Sequence, residues 1–265
     1  MKVGLIFFLS IQLGILLLQP GCVYSLLPAP PAAALNDASD EDIFQATVTI
    51  RIQASALDAD GNPIYLEANS RQKPLYLISG GLGTIVNNGH HQYIITHDHY
   101  AQLDAPVATV TITESSGTQI VLGIKEFHER IRYRNNGVVI FDAPAKISGG
   151  AAFVNAKTIQ PGSLVQVVYR PKQTDGAVII PAIVESQLDF QGIPCFRIRN
   201  LNGEVIEKGN SGGGVWYQGR LIGAIHRTIT TPETCSAPST VESPGQPTHC
   251  GLVTRLSPHL WQSAP

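Results

Sequence analysis

The chain has few charged residues, few aromatic residues and a single methionine. Charged residues make up 14% of the 265 positions, against roughly 25% in a typical soluble domain. Lysine and arginine number 18 and aspartate and glutamate 20, so the net charge is −2. No surface-wide basic field attracts nucleic acid, and we expect none as a partner. The 43% of hydrophobic residues excludes a disordered chain.

Long apolar runs are also scarce, which excludes a polytopic membrane protein. The one such run, residues 3–18, follows Lys2 and is shorter than the about 20 residues of a spanning helix. It is typical of a secretory signal, so we expect residues 1–34 to be a signal peptide and leader of an exported protein. Two cleavage sites stay open, one among the small residues 28–34 and one before Cys22. Lipidation of Cys22 would anchor the protein to the outside of the cell envelope.

Residues 35–42 are acidic with little to bury, and they predict a tether that ends where the folded body begins, near Ile43.

Four cysteines allow three connectivities. Cys235 and Cys250 flank a loop rich in Pro, Ser and Thr, and a disulfide there would contribute roughly 3 kcal/mol. Cys195 is then predicted to be a small buried hydrophobic residue.

The body alternates between short β-branched or apolar segments and turn signals such as Asp60-Gly61. No long segment has a helical period except the terminal residues 257–262. This pattern predicts an all-β fold, a sandwich or a pair of barrels. A linker of small residues at 147–152 separates residues 43–146 from residues 147–265. The predicted strands are 46–52, 75–78, 84–86, 93–96, 107–113, 120–124, 138–141, 164–169, 178–184, 196–198, 214–217 and 221–225.

One segment carries the chemistry, Gly209-Asn210-Ser211-Gly212-Gly213-Gly214. Glycines on both sides of the serine permit positive φ and a close approach of a ligand. The amides of Gly209 and Ser211 can point at one spot, as an oxyanion hole requires. A nucleophilic hydroxyl also needs a base, and Thr96-His97-Asp98-His99 places imidazoles just after a predicted strand.

These segments resemble the chymotrypsin-like (trypsin-fold) serine proteases. Gly80–Val86 is similar to the glycine-rich strand of the first barrel, Thr96–His99 to the Thr-x-x-His element, and 209–214 to the nucleophile loop. Residues 251–256 are similar to the closing strand. The resemblance implies two antiparallel six-stranded β-barrels and a short C-terminal helix. The first barrel carries His99 as the base, and the second carries Ser211 as the nucleophile.

The third member of the triad departs from the family pattern. The family has an aspartate shortly before a hydrophobic strand, whereas the strand 138–141 is preceded by Arg134-Asn135-Asn136-Gly137. The alignment puts Asn135 at this position, and a slip of one residue puts Asn136 there. In a protease with a full triad the equivalent change to Asn lowers turnover about 10⁴-fold. Either activity is weak, another carboxylate substitutes, or the fold has kept the site without the reaction.

Three further positions bear on activation and specificity. Animal digestive members have an aspartate at the position of Asn210, which pairs with a new N-terminus; Asn cannot form this ion pair. His226, 15 residues after Ser211, resembles the pocket histidine of bacterial glutamyl endopeptidases, and it could donate a hydrogen bond to Glu, Asp or Gln of a substrate. Val205, at the pocket base, offers no negative charge for Lys or Arg.

Histidines at 90, 91, 97 and 99 crowd one hairpin. Adjacent strand residues point to opposite faces, so we expect no metal there. No cofactor is implied either.

Two hypotheses about function follow from the sequence. One is an exported serine endopeptidase acting on peptide or protein substrates. The other is a pseudo-protease that binds peptides or proteins without cutting them.

Overall fold

The computed structural model describes residues 39–68, 71–87, 91–102, 108–135, 137–148, 150, 159–171, 176–202, 206–207, 209–229 and 250–256. The predicted signal peptide with Cys22, the pocket residue Val205, Cys235 of the predicted disulfide and the predicted C-terminal helix lie outside the described residues. Within them, no helix is long and apolar enough to cross a membrane.

The described residues fold almost entirely into strands. The helices are α1 (Asp40–Gln45), α2 (Ile124–Arg130) and a 3₁₀ helix (Asp98–Gln102). The strands of the N-terminal half are β1 (Thr47–Ser55), β2 (Tyr65–Ala68), β3 (Arg71–Pro74), β4 (Tyr76–Asn87), β5 (Gln92–His97), β6 (Ala108–Glu114), β7 (Gln119–Gly123), β8 (Ile131–Asn135) and β9 (Val138–Asp142). Those of the C-terminal half are β10 (Leu164–Tyr169), β11 (Val178–Phe190), β12 (Ile193–Asn200), β13 (Gly214–Tyr217), β14 (Arg220–Ile229) and β15 (Cys250–Arg255).

The strands form two antiparallel sheets, which confirms the predicted all-β class. The second sheet closes as a six-stranded barrel in the order β10-β11-β12-β15-β14-β13. The first differs from the expected closed barrel, because it is an open sheet of seven strands in the order β7-β6-β1-β4-β5-β9-β8. Strand β8 is the added strand: it pairs with β9 across a register shift between Ile131 and Tyr133. Strands β2 and β3 form a separate hairpin.

Alternating burial fixes which face of each sheet is the core. In β1 the buried residues include Val48, Ile50 and Ile52, two positions apart, as one face of a strand requires. They join a cluster with Ile94 and Phe141 inside the first sheet. A second cluster, built from strands β10 to β15, fills the closed barrel.

A third apolar cluster contains residues of both sheets. Leu82 and Ile95 of the first sheet belong to it together with Val168, Trp216 and Leu221 of the second. Because one cluster holds residues of both sheets, burial of apolar surface favours their association. The candidate site residues described below come from the strand ends and loops around this junction.

Helix α1 begins within the segment expected to be a tether. Ser39 caps it, since the Ser39 hydroxyl accepts from the Asp42 amide at 3.2 Å and the Asp42 carboxylate accepts from the Ser39 amide at 3.1 Å. Ile43 of this helix is fully buried in the shared cluster. The acidic residues therefore stabilise the start of a helix that packs on the body.

Two isoleucines of adjacent strands provide a matched test of this packing. Ile94 is fully buried, whereas Ile78 is 58% exposed. We expect Ile94→Ala to lower the free energy of unfolding by about 2–5 kcal/mol, because it removes buried methyl groups and leaves a cavity. Ile78→Ala should change it by no more than about 0.5 kcal/mol. Urea unfolding measures both, and equal losses would contradict the assigned core.

Candidate active site

The base segment follows directly from strand β5. Thr96 is fully buried, and its hydroxyl donates to the Leu82 carbonyl at 2.6 Å. His97 is the last residue of the strand and is paired with Val138 of β9. The chain then enters the 3₁₀ helix, Asp98–Gln102, so His97 ends the strand and His99 lies in the first turn of this helix.

The nucleophile loop is docked on the first sheet through its backbone. The Ser211 carbonyl accepts from the Leu82 amide at 3.1 Å and from the Tyr100 hydroxyl at 3.5 Å. On the other side, the Gly212 amide donates to the Ile225 carbonyl at 2.8 Å. Gly212 has φ of +85°, and a Cβ there would clash with the Leu82 carbonyl and the Thr96 hydroxyl. Glycine is therefore required at this position.

Asn210 holds the loop from within the second barrel. Its side chain is fully buried, and its Oδ1 accepts from the Arg170 amide at 2.5 Å. Its Nδ2 donates to the carbonyls of Arg170 at 3.2 Å and Glu207 at 3.1 Å. The amide group is thus well matched to one donor and two acceptors.

Two amides of the loop remain available to a ligand. Among the described residues, neither the Gly209 nor the Ser211 amide donates a hydrogen bond. Gly209 has a φ of +97°, a conformation that glycine adopts readily. These are the two donors expected to form the oxyanion hole.

Three imidazoles lie together beside the loop. His97 Nε2 is 2.8 Å from His226 Nδ1, and His97 Nδ1 is 2.5 Å from His99 Nδ1. The His97 and His226 rings are stacked at 4.7 Å, and the His97 and His99 rings are 4.4 Å apart. We call His97, His99 and His226 the histidine cluster. The expectation that strand neighbours keep these histidines apart is wrong for His97 and His99, because they are two positions apart and not adjacent, and the His99 amide donates back to His97 Nδ1.

The histidine cluster is uncharged at neutral pH. Burial, helped by the neighbouring imidazoles of His99 and His226, lowers the pKa of His97 to about 3. Burial also lowers the pKa of His99, and the Asp98 carboxylate partly opposes this shift. The pKa of His226 is likewise lowered by burial, with Asp98 opposing and Arg227 adding to the effect. A histidine that is neutral can accept a proton.

The other predicted site residues lie as follows. Asn135 is exposed at the end of β8, and its role in orienting His99 stays a prediction. Ser211 uses its carbonyl in the contacts above, and its hydroxyl has no hydrogen bond to His99 among the described residues. His226 lies against the Phe190 ring at 5.9 Å, with its Nδ1 directed to His97. The contacts of His97 with His99 and His226 were not predicted, although the His-x-His spacing places two of the imidazoles close together in the sequence.

The structure has a glycine-flanked serine on the closed barrel and a histidine on the first sheet, as the resemblance to trypsin-like serine proteases implies, although the first sheet is open. No family model matches the sequence, and no curated protein matches it. Solved structures do match. The HtrA-type protease AlgW with a decapeptide matches with a TM-score of 0.54 and 14% identity. The match covers 84% of this chain and 65% of the AlgW chain, so this chain spans less than two thirds of the length of AlgW. The inactive form of the Rv3671c protease of M. tuberculosis has a TM-score of 0.50 and 15% identity, covering 86% of this chain and 92% of that chain. The chain therefore has the trypsin-like fold.

The histidine cluster predicts a particular dependence of stability on pH. The folded-state pKa of His97 is about 3 against 6.5 for an unperturbed histidine, so between these values the unfolded chain binds a proton that the folded chain does not. Stability is therefore complete above about pH 6.5 and falls as the pH decreases toward about 3. Urea unfolding from about pH 7.5 to about pH 4.5 measures this loss.

A pair of variants separates this effect from the titration of carboxylates. We expect His97→Asn to flatten the pH dependence, because it removes the buried titrating group. His128→Gln, at an exposed residue of α2, should leave it unchanged. Equal slopes for wild type and His97→Asn would show that His97 is not a buried neutral histidine.

Proposed function

We propose that this protein is a serine endopeptidase with Ser211 as nucleophile and His99 as general base. The observation that carries the proposal is the docking of the nucleophile loop on the base segment, through the Leu82 and Tyr100 bonds to the Ser211 carbonyl. This docking holds the loop beside the histidine while two backbone amides stay available.

The reaction follows from these groups. The Ser211 hydroxyl attacks the carbonyl carbon of a peptide bond while His99 Nε2 takes the hydroxyl proton. The amides of Gly209 and Ser211 stabilise the resulting oxyanion. The intermediate collapses, the C–N bond breaks, and the imidazolium of His99 gives its proton to the leaving amine. Water then attacks the acyl carbonyl while His99 takes its proton; the bond to Ser211 Oγ breaks, the carboxylic acid product leaves, and His99 returns the proton to Ser211 Oγ.

Two features support an active rather than a latent site. The lowered pKa of His99 favours the neutral base, which is able to accept a proton, at neutral pH. Asn210 finds its donors and acceptors within the barrel, so the loop is held without an ion pair to a released N-terminus. Activation of the digestive-protease kind is therefore not required.

The cellular setting is also proposed from the sequence. Residues 1–34 direct export, with the protein secreted or anchored outside through a lipid on Cys22. An oxidising compartment there would permit the Cys235–Cys250 disulfide.

The second candidate is a pseudo-protease that binds peptides or proteins in the cleft. It is favoured by one observation: among the described contacts, the His99 ring is hydrogen-bonded by an imidazole and not by a carboxylate. A neutral partner stabilises the imidazolium of the transition state less than an anion does.

Labelling by a fluorophosphonate probe separates the two candidates. We expect the wild type to be labelled and both Ser211→Ala and His99→Ala to be unlabelled, because the probe reacts only with an activated serine. Circular dichroism and thermal unfolding of each variant control for folding. A folded wild type that resists the probe at neutral and alkaline pH would support the binding module instead.

Specificity is proposed to favour Glu, Asp or Gln before the cleaved bond. His226 can donate a hydrogen bond to such a side chain. The positive Arg227 guanidinium lies 5.2 Å from the centroid of the Phe190 ring, which neighbours His226. Val205 brings no negative charge that would favour Lys or Arg. A peptide library should show cleavage after acidic or amide side chains, reduced about tenfold or more in Arg227→Gln, which removes a charge from this edge. Rapid cleavage after Lys or Arg would contradict the assignment.

A further inference from the structure

We propose that His97 is a positioning residue that replaces the carboxylate of a serine-protease triad. Its Nδ1 accepts a hydrogen bond from the protonated Nδ1 of His99, and this bond fixes the tautomer that a general base needs. The inference rests on the proposed function, since it assigns His99 a reaction to be positioned for. The juxtaposition itself, an imidazole where a carboxylate is expected, is a property of the fold.

A backbone amide decides the direction of the hydrogen bonds. The His99 N–H donates to His97 Nδ1 at 3.1 Å. A backbone N–H can only donate, so His97 Nδ1 must carry a lone pair. The same atom lies 2.5 Å from His99 Nδ1, and two bare nitrogens would repel at this separation. His99 Nδ1 is therefore the protonated nitrogen, which leaves His99 Nε2 free to take a proton from Ser211.

The other end of the His97 ring is held in the same sense. With Nδ1 bare, the proton of neutral His97 is on Nε2, which lies 2.8 Å from His226 Nδ1. His226 Nδ1 then accepts, and its own proton is on Nε2. His99 thus donates to His97, and His97 donates to His226. Both ring nitrogens of His97 are engaged, so the ring is held in one orientation.

The absence of a side chain at Gly137 leaves room for the His226 ring, which supports His97. It precedes strand β9 with a φ of +72°, and a Cβ built on it would lie 2.6 Å from His226 Nδ1 and 2.9 Å from its Cε1. A side chain at 137, a carboxylate included, would displace His226 and with it the support of His97. The Gly137 carbonyl also accepts from the Asp98 amide at 3.3 Å, which holds the turn between the two histidines.

Asp98 supplies the charge that His97 lacks. Its Oδ1 is 3.3 Å from His97 Nδ1. Since both atoms are acceptors in this assignment, the contact is not a hydrogen bond, and the carboxylate acts through its charge, which favours a positive charge on His99. When His99 becomes an imidazolium, the negative charge of this carboxylate favours the new positive charge. Orientation and charge compensation, both provided by one aspartate in a full triad, are divided here between His97 and Asp98.

Two isosteric substitutions at His97 test the role. Asn places an acceptor oxygen where His97 has Nδ1, whereas Gln places its amide where His97 has Nε2 and puts a methylene near His99 Nδ1. We expect His97→Asn to keep the rate of fluorophosphonate labelling within about threefold of wild type. His97→Gln should lower it about 10- to 100-fold, less than the about 10⁴-fold lost with the aspartate of a full triad. His128→Gln, on the exposed side of α2, is the matched control.

Rescue by Asn separates positioning from simple packing, because both substitutions remove the ring and its stacking. Equal losses in His97→Asn and His97→Gln, with both variants folded by thermal unfolding, would overturn the proposal. So would a full rate in His97→Gln.

A second measurement does not depend on Ser211 or on the variants folding. In the wild-type protein with ¹⁵N-labelled histidine, NMR distinguishes protonated from bare imidazole nitrogens. We expect a bare Nδ1 in His97 and a protonated Nδ1 in His99. The opposite pair of tautomers would overturn the proposal. If these tautomers are found but the probe does not label Ser211, the proposed function fails while the assignment of His97 as the orienting group stands.

Discussion

The site depends on the hydrogen bond from the Leu82 amide to the Ser211 carbonyl, 3.1 Å long. It joins a strand of the first sheet to the nucleophile loop of the second barrel, so each half of the site is placed relative to the other by backbone atoms. Such proximity is available only without side chains in between. A Cβ on Gly81 would meet the Ser211 carbonyl and the Tyr100 hydroxyl, and one on Gly212 would meet the Leu82 carbonyl.

Apolar packing around this hydrogen bond shields it from water. The cluster containing Leu82, Ile95 and Trp216 draws on both sheets, and burial keeps water from competing for the backbone groups. Two buried polar side chains next to this cluster are hydrogen-bonded: Thr96 donates to the Leu82 carbonyl, and Asn210 is bonded to the backbone at both ends of its amide. The loop is therefore fixed by hydrogen bonds on two sides, and this preorganisation suits the proposed stabilisation of an oxyanion.

The sequence allowed the all-β class, most strands and the nucleophile loop to be predicted, because these depend on local alternation and on glycine spacing. It did not reveal α2, a helix of seven residues with one buried side chain, Phe127, which is too short to show a period. Nor did it reveal the open first sheet, since β8 joins it through a shifted register. The histidine cluster was missed for a related reason. His226 meets His97 across a sequence separation of 129 residues, and only the folded chain brings them together.

The histidine cluster has a consequence for the resting state. A triad with a covered aspartate holds an anion away from water at all times, and desolvating an ion costs several kcal/mol. Here the groups in contact with the base ring are neutral, and the nearby carboxylate of Asp98 keeps 22% of its side-chain surface exposed. The folded protein therefore keeps few uncompensated charges in its centre. In the proposed reaction, the cost of separating charge arises only while the His99 imidazolium exists.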